Sequence, residues 1–441
     1  MTRAQDRFVH QNRPLAEWLL QLVDADADRR RAAADVITNR FFLALDQIPP
    51  ADFNEAKRSQ DLFAAEVRGV VNTPDFPAAD FVRRLLSLDL ALQESWMETI
   101  RAHLERGHEL EPHEVTTTGA ALGWVIGSLG RELLPAADLL RVMMETRGKQ
   151  HMAFDAIARM GRDGLSFYDE LIGKLDAEGS YHKEARALGA LLQSTPEKIP
   201  EMLELAAGPD GRVRVNALHA LGCCGRGSTE VFARVEAQLR DQLIRCGDPI
   251  EWRALADALG DVAQSGETAT ALLAFLDQPD KQDAVIDALG RIGKEAEAVV
   301  PRLIECLDTF EEYDSDYCHH GEHERVTQAL RGFGPAAAAA VPALIRHVWT
   351  KPQKRWTNGS LAERPEPDEG VIEFLGELGP AATDALPALL EIQTQMRKRF
   401  DEEEEPGAES STPDETYVDV AIGRITSLAP SDAPFRRGPG G

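Results

Sequence analysis

The sequence predicts an all-α fold, an α-solenoid in which about eight to ten helix pairs stack one on the next. Three observations lead there. Alanine and leucine are plentiful while aromatics make up only 6% of 441 residues, which favours helices packed through small side chains over sheets that need β-branched and aromatic ones. A short motif, apolar and small residues closing on glycine, returns at intervals of about 30–47 residues, the period of a helical-pair repeat. A proline stands eight residues after several copies, a position that suits the first turn of a helix, where no intrahelical N–H is lost.

The elements follow in order. The start, Met1 to Pro14, is polar and lacks the apolar core of a signal peptide. Pro14–Val23 reads as a first helix, Asp24–Asp28 as a turn and Arg29 onward as a second helix, one full unit over 14–45. Residues 46–112 depart from the pattern, with a helix near 53–71, a turn at Asn72-Thr-Pro-Asp-Phe-Pro77 and a long helix from 78 to 106. Residues 1–112 are therefore taken as an N-terminal helical region with one clear repeat and degenerate ones. From 113 to 397 the repeat runs on. Its anchors include Asp155-Ala-Ile-Ala-Arg-Met-Gly161, His219-Ala-Leu-Gly-Cys-Cys-Gly225, Asp257-Ala-Leu-Gly-Asp-Val-Ala263, Asp287-Ala-Leu-Gly-Arg-Ile-Gly293, Gln328-Ala-Leu-Arg-Gly-Phe-Gly334 and Glu373-Phe-Leu-Gly-Glu-Leu-Gly379. Looser copies end at Gly130, Leu192 and Thr426. Each anchor closes a second helix, its small residues let neighbouring helices approach, and its last glycine accepts a left-handed cap. Pro301, Pro342 and Pro387 each open the next first helix. The stretch 398–415 reads as an acidic disordered linker, 416–430 as a terminal helix and 431–441 as a disordered tail.

These units resemble the HEAT repeat family, including the short HEAT-like repeats of the phycobilin-lyase type. In that family a turn aspartate and a second-helix arginine tie repeats together. The resemblance places those roles on Asp24 and on Arg30 or Arg31. It covers about 14–45 and 114–430, and it implies a shape while leaving the cargo open.

The net charge is −26 and the pI about 4.9. From Pro301 onward 14 Lys and Arg face 26 Asp and Glu. A polyanion repels phosphate backbones, so no nucleic acid partner is expected, and a basic protein or peptide is. No run of 18 apolar residues occurs, so no membrane span is expected. Five cysteines, an odd number without a disulfide pattern, fit a reducing compartment, and the cytoplasm is the expected location.

The long repeat steps come from insertions between the first and second helix of a unit, at 308–322, 350–370 and 398–415. Equivalent turns of a solenoid stack along one edge, so these loops should crowd together and serve as a partner-binding site. Within the second insertion Trp349, Lys354, Arg355 and Trp356, with Arg346 just before, form a basic–aromatic island of the composition that dominates protein hot spots. The expected function is therefore a non-catalytic protein-interaction scaffold.

The alternative is a metal-dependent enzyme on the same scaffold. Cys318, His320 and His323 join thiol and imidazole ligands in the first insertion and could share one zinc or iron ion if the loop folds back. Apart from that set, no cofactor and no catalytic residue is expected. Deoxyhypusine hydroxylases are HEAT-repeat enzymes whose His-Glu pairs on second helices hold two irons. Here His113-Glu114 and His323-Glu324 are such pairs, but they lie about six repeats apart and would meet only in a closed ring. A bilin-lyase activity follows from the repeat resemblance alone.

Overall fold

In a computed structural model the described residues are 9–10, 13–46, 53–106, 113–146, 148–176, 183–225, 230–309, 322–349, 353–357, 360–364, 366–403 and 416–427. They divide into two compact units at Cys224 and Gly225. The first holds α1 (Leu15–Leu22), α2 (Ala27–Asp46), α3 (Phe53–Val71), α4 (Ala78–Arg106), α5 (His113–Ser128), α6 (Ala137–Glu145), α7 (Gln150–Met160), α8 (Tyr168–Ile172), α9 (Lys183–Ser194), α10 (Ile199–Ala206) and α11 (Gly211–Cys223). The second holds α12 (Glu230–Arg245), α13 (Pro249–Val262), α14 (Gly266–Leu273), α15 (Gln282–Ile292), α16 (Ala296–Thr309), α17 (Glu322–Arg331), α18 (Val341–Arg346), α19 (Glu369–Leu378), α20 (Leu386–Glu403) and α21 (Tyr417–Thr426). Among the described residues each unit is thus a run of HEAT-like helix pairs, the α-solenoid arrangement the repeat predicts. In the first unit α3 is an additional helix, and α5 packs on α2, α3 and α4, so residues on both sides of position 112 share one body.

Second helices stack side by side: α7, α9 and α11 in the first unit, and α13, α15, α17, α19 and α21 in the second. The small residues of the anchors explain how. A Cβ on Gly290 would meet the Ala329 Cα at 2.5 Å, and one on Gly376 would meet the Ala421 Cα at 2.8 Å. The backbones of adjacent second helices therefore touch, and only glycine fits on one side of each contact. The chain leaves these helices through glycines with positive φ at 161, 225, 293, 334 and 379. Gly293 takes the expected left-handed cap, whereas Gly161 and Gly379 have ψ of −132° and −137°. That region is open to glycine alone, and it turns the chain into a 3₁₀ segment, Gly161–Phe167 or Gly379–Ala385, that leads the next first helix.

Three sequence expectations change. Pro342 and Pro387 do sit in the first turns of α18 and α20, but Pro301 lies inside α16, which starts at Ala296. Glu295 accepts the N–H groups of Ala298 and Val299 at 2.9 Å and starts that helix early, so α16 forgoes one later hydrogen bond at the proline. The second insertion contains a β-hairpin, β3 (Gln353–Thr357) antiparallel to β4 (Ser360–Arg364), with Trp356 opposite Leu361 and Lys354 opposite Glu363. Finally, α20 continues to Glu403, into the segment read as linker, and residues 404–415 lie outside the described residues.

The first turn also departs from the family resemblance in detail. Asp26 receives the N–H groups of Asp28 (2.9 Å) and Arg29 (3.1 Å) at the head of α2, while Asp24 receives that of Asp26 (2.8 Å). Arg30, rather than Arg31, closes the turn by donating to the carbonyls of Asp24 (2.9 Å) and Ala25 (2.8 Å). Asp210 and Arg214 repeat the device, with Arg214 on the carbonyls of Gly208 (3.1 Å) and Pro209 (2.9 Å). These bonds hold one unit's own turn rather than one unit to the next.

Candidate partner-binding edge

The ends of α16 and α18 and the start of α17 flank the first two insertions. Asp308, in the last turn of α16, receives both oxygens' worth of hydrogen bonding from the Arg346 guanidinium at 2.7 Å. His323, in the first turn of α17, stacks edge-on against His347, with ring centroids 4.6 Å apart. His347 Nε2 lies 3.4 Å from Asp308. The two insertions thus leave the fold beside each other, one at Asp308 and His323, the other at His347 and Trp349.

The electrostatics of this junction are set by its own pairings. The Arg346 guanidinium holds the Asp308 carboxyl below its ordinary value, with His347 adding to the effect. Burial lowers His347, and the neighbouring His323 lowers it further against the pull of Asp308. Arg346 is consequently spent on Asp308, and the basic island is reduced by one cation. Trp349 is half-buried at the foot of the hairpin: its backbone bridges to Pro367, and the Val348 carbonyl accepts from the Asp368 N–H at 2.8 Å. Beyond that stem Lys354, Arg355 and Trp356 all lie on β3.

Of the metal set, His323 has His347 as its neighbour, and Cys318 and His320 lie outside the described residues. Among the described residues no group of three or more His, Cys, Asp and Glu side chains could hold a metal ion. His113-Glu114 opens α5 and His323-Glu324 stands in the first turn of α17, in different units.

The second-helix face of the C-terminal unit carries a ladder of charges that sequence reading passed over. Arg291 on α15 reaches Asp257 (2.7 Å) and Asp261 (3.4 Å) on α13. Arg325 on α17 reaches Asp287 (2.6 Å) and Asp283 (3.7 Å) on α15. Arg331 on α17 reaches Glu373 (3.0 Å) and Glu377 (3.4 Å) on α19. Burial raises Asp287 and Glu377 above their ordinary values despite these arginines. Each arginine clamps two carboxylates one turn apart, so it is these pairs that tie one repeat to the next. The signal was the charged first and fifth positions of the anchors, Asp257 and Asp261, Asp287 and Arg291, Glu373 and Glu377.

No helix among the described residues is long and apolar enough to cross a membrane. No family model matches the chain, and no curated protein matches it. Among solved structures it is similar to Kap121p bound to Pho4p, at 12% identity over 86% of this chain and 43% of that one, with a TM-score of 0.40. It is similar also to importin beta, at 14% identity over 93% of this chain and 52% of that one, with a TM-score of 0.41. The chain spans about half the length of these solved structures.

Proposed function

We propose that this chain is a non-catalytic scaffold that binds a basic protein or peptide along the inserted edge of its C-terminal unit. The observation that carries the reading is the convergence of two consecutive insertions at the Asp308–Arg346 and His323–His347 contacts. Enlarged loops side by side on a rigid repeat offer a composite surface that neither offers alone. The charge of −26 supports a basic partner, steered to the site and released by salt. Trp349, Lys354, Arg355 and Trp356 supply the aromatic and guanidinium anchors. Cys223, Cys224, Cys246 and Cys306 form no disulfide among the described residues, which supports a cytoplasmic setting.

Replacing the insertions at 310–321, 351–366 and 404–415 by short Gly-Ser links tests this. Proteins captured by the full chain should be lost, and far-UV circular dichroism should keep its helical signal. Capture should weaken steeply as salt rises beyond about 0.1 M, where the Debye length is about 10 Å. Unchanged capture by the trimmed chain would overturn the reading. The alternative reading is the metal set Cys318, His320 and His323. The scaffold reading expects no stoichiometric zinc or iron in the purified chain. Metal that disappears when these three residues are changed to alanine would replace that reading with a metal-dependent one.

A further inference from the structure

Far from that edge in sequence, three arginines meet in the first unit. Arg68 comes from α3, Arg131 from the turn after α5 and Arg159 from the end of α7. With Gly130, Glu132 and Met160 they line a cavity of about 170 Å³. That is of the order of the roughly 150 Å³ that accommodates a benzene-sized guest, but here the walls are cationic in a chain whose net charge is −26.

The site is assembled by specific contacts. Arg68 Nη1 donates to the Ser128 carbonyl at 2.7 Å, which fixes its guanidinium at the cavity rim. A Cβ on Gly130 would stand 2.9 Å from the Arg159 carbonyl, so glycine at 130 lets the end of α7 close against the turn. The carboxylate of Glu132 is occupied on both oxygens, by Asn72 Nδ2 at 2.8 Å and by the Gly130 N–H at 3.1 Å. Burial opposes its ionisation, but these donors outweigh it and hold the carboxyl below its ordinary value. Glu132 is therefore charged, and the lining carries three cations against one anion. Arg131 lies 3.9 Å from Glu132, whereas Arg159 is exposed and makes no hydrogen bond or ion pair with the described residues.

We propose that this cavity is a binding site for a phosphate-class oxyanion, either free phosphate or the head of a phosphomonoester. Three arginines from three elements line the cavity, and three guanidinium donors suit a tetrahedral anion with three accessible oxygens, whereas a planar carboxylate is served by one fork. The net charge of the lining, +2, matches a group carrying between −1.5 and −2 near neutral pH. Nothing in this assignment depends on the partner-binding edge.

The full chain should be titrated with sodium phosphate at constant ionic strength, by calorimetry and by melting temperature, with sodium acetate as the carboxylate control. A saturable rise in melting temperature is expected with phosphate and not with acetate. Arg159 has an exposed side chain, so R159Q should fold normally and bind at least tenfold more weakly, and R131Q should weaken binding as well. R162Q, which removes the nearby surface pair with Glu197, should leave affinity unchanged. Phosphoserine distinguishes the two sources: tighter binding than phosphate identifies a phosphomonoester, and equal or weaker binding identifies the free ion. Absence of saturable phosphate binding, or R159Q binding as tightly as the natural chain, would overturn the assignment.

Discussion

Replacing Lys149 by methionine should destabilise the first unit by about 3–5 kcal/mol, the cost of stranding a buried charge. Its Nζ lies 2.6 Å from Oδ1 of Asp89 on α4, with the lysine side chain 8% exposed and the aspartate fully buried. Asp89 Oδ2 has no hydrogen-bond partner among the described residues, so Lys149 is what makes this carboxylate tolerable. Burial raises Asp89 above its ordinary value even with the lysine present. A carboxyl raised in the folded state loses stability as pH climbs through its folded value, and without Lys149 that loss should deepen. The deficit of K149M should therefore be larger at pH 7 than at pH 5, as read from urea unfolding of the first unit. The double variant D89L/K149M removes both charges and should return to within about 1 kcal/mol of the natural chain. A K149M cost below about 1 kcal/mol would mean the pair behaves as a surface ion pair.

The second large effect is expected at Glu236 on α12, whose side chain caps α14 from outside. Only 6% exposed, it accepts from the Gln264 N–H (3.0 Å), the Ser265 N–H (3.2 Å), the Ser265 hydroxyl and the Thr268 hydroxyl (2.6 Å) at the head of α14. Alanine there leaves one buried donor, the Thr268 hydroxyl, and three part-buried ones unpaired and should cost about 2–3 kcal/mol in the second unit. Burial opposes ionisation of Glu236, but the donors from Ser265, Thr268 and the backbone outweigh it, so its carboxyl sits below the ordinary 4.5. A depressed carboxyl contributes stability that is complete above the unfolded value and disappears as pH falls through the folded one. The difference between the natural chain and E236Q should thus be widest near neutrality and narrow below about pH 4.5. A gap that does not change with pH would mean the carboxylate charge is not what the cap uses.

The repeat was legible because its physics is local. Helix–helix contacts at Gly290 and Gly376 and the chain reversals at Gly161, Gly293 and Gly379 require glycine, and glycine at a fixed period is visible in one dimension. The hairpin was missed although its signal was present. Asn358-Gly359 separates the paired residues Thr357 and Ser360, and Asn-Gly between strand-forming runs is the strongest short-range hairpin signal. The Lys149–Asp89 pair and the Glu236 cap were illegible for another reason. Their partners lie 28 to 60 residues apart, and their pairing is decided by stacking that no local pattern announces. The same holds for His347, which the structure sets beside His323 across the start of the second insertion.

The glycine–alanine contacts of the second helices act as fulcrums. Backbones in contact cannot be pressed nearer, which sets the closest approach of α15 to α17 and of α19 to α21, and the Arg325 clamp resists the parting of α15 from α17. The first helices α16 and α18 are joined through the side chains of Asp308 and Arg346, whose rotamers can change. Under load a unit therefore yields on its first-helix side, where Asp308 and Arg346 join α16 to α18. A molecule gripping the inserted edge would pull on the compliant side of the stack, with the glycine line as its pivot.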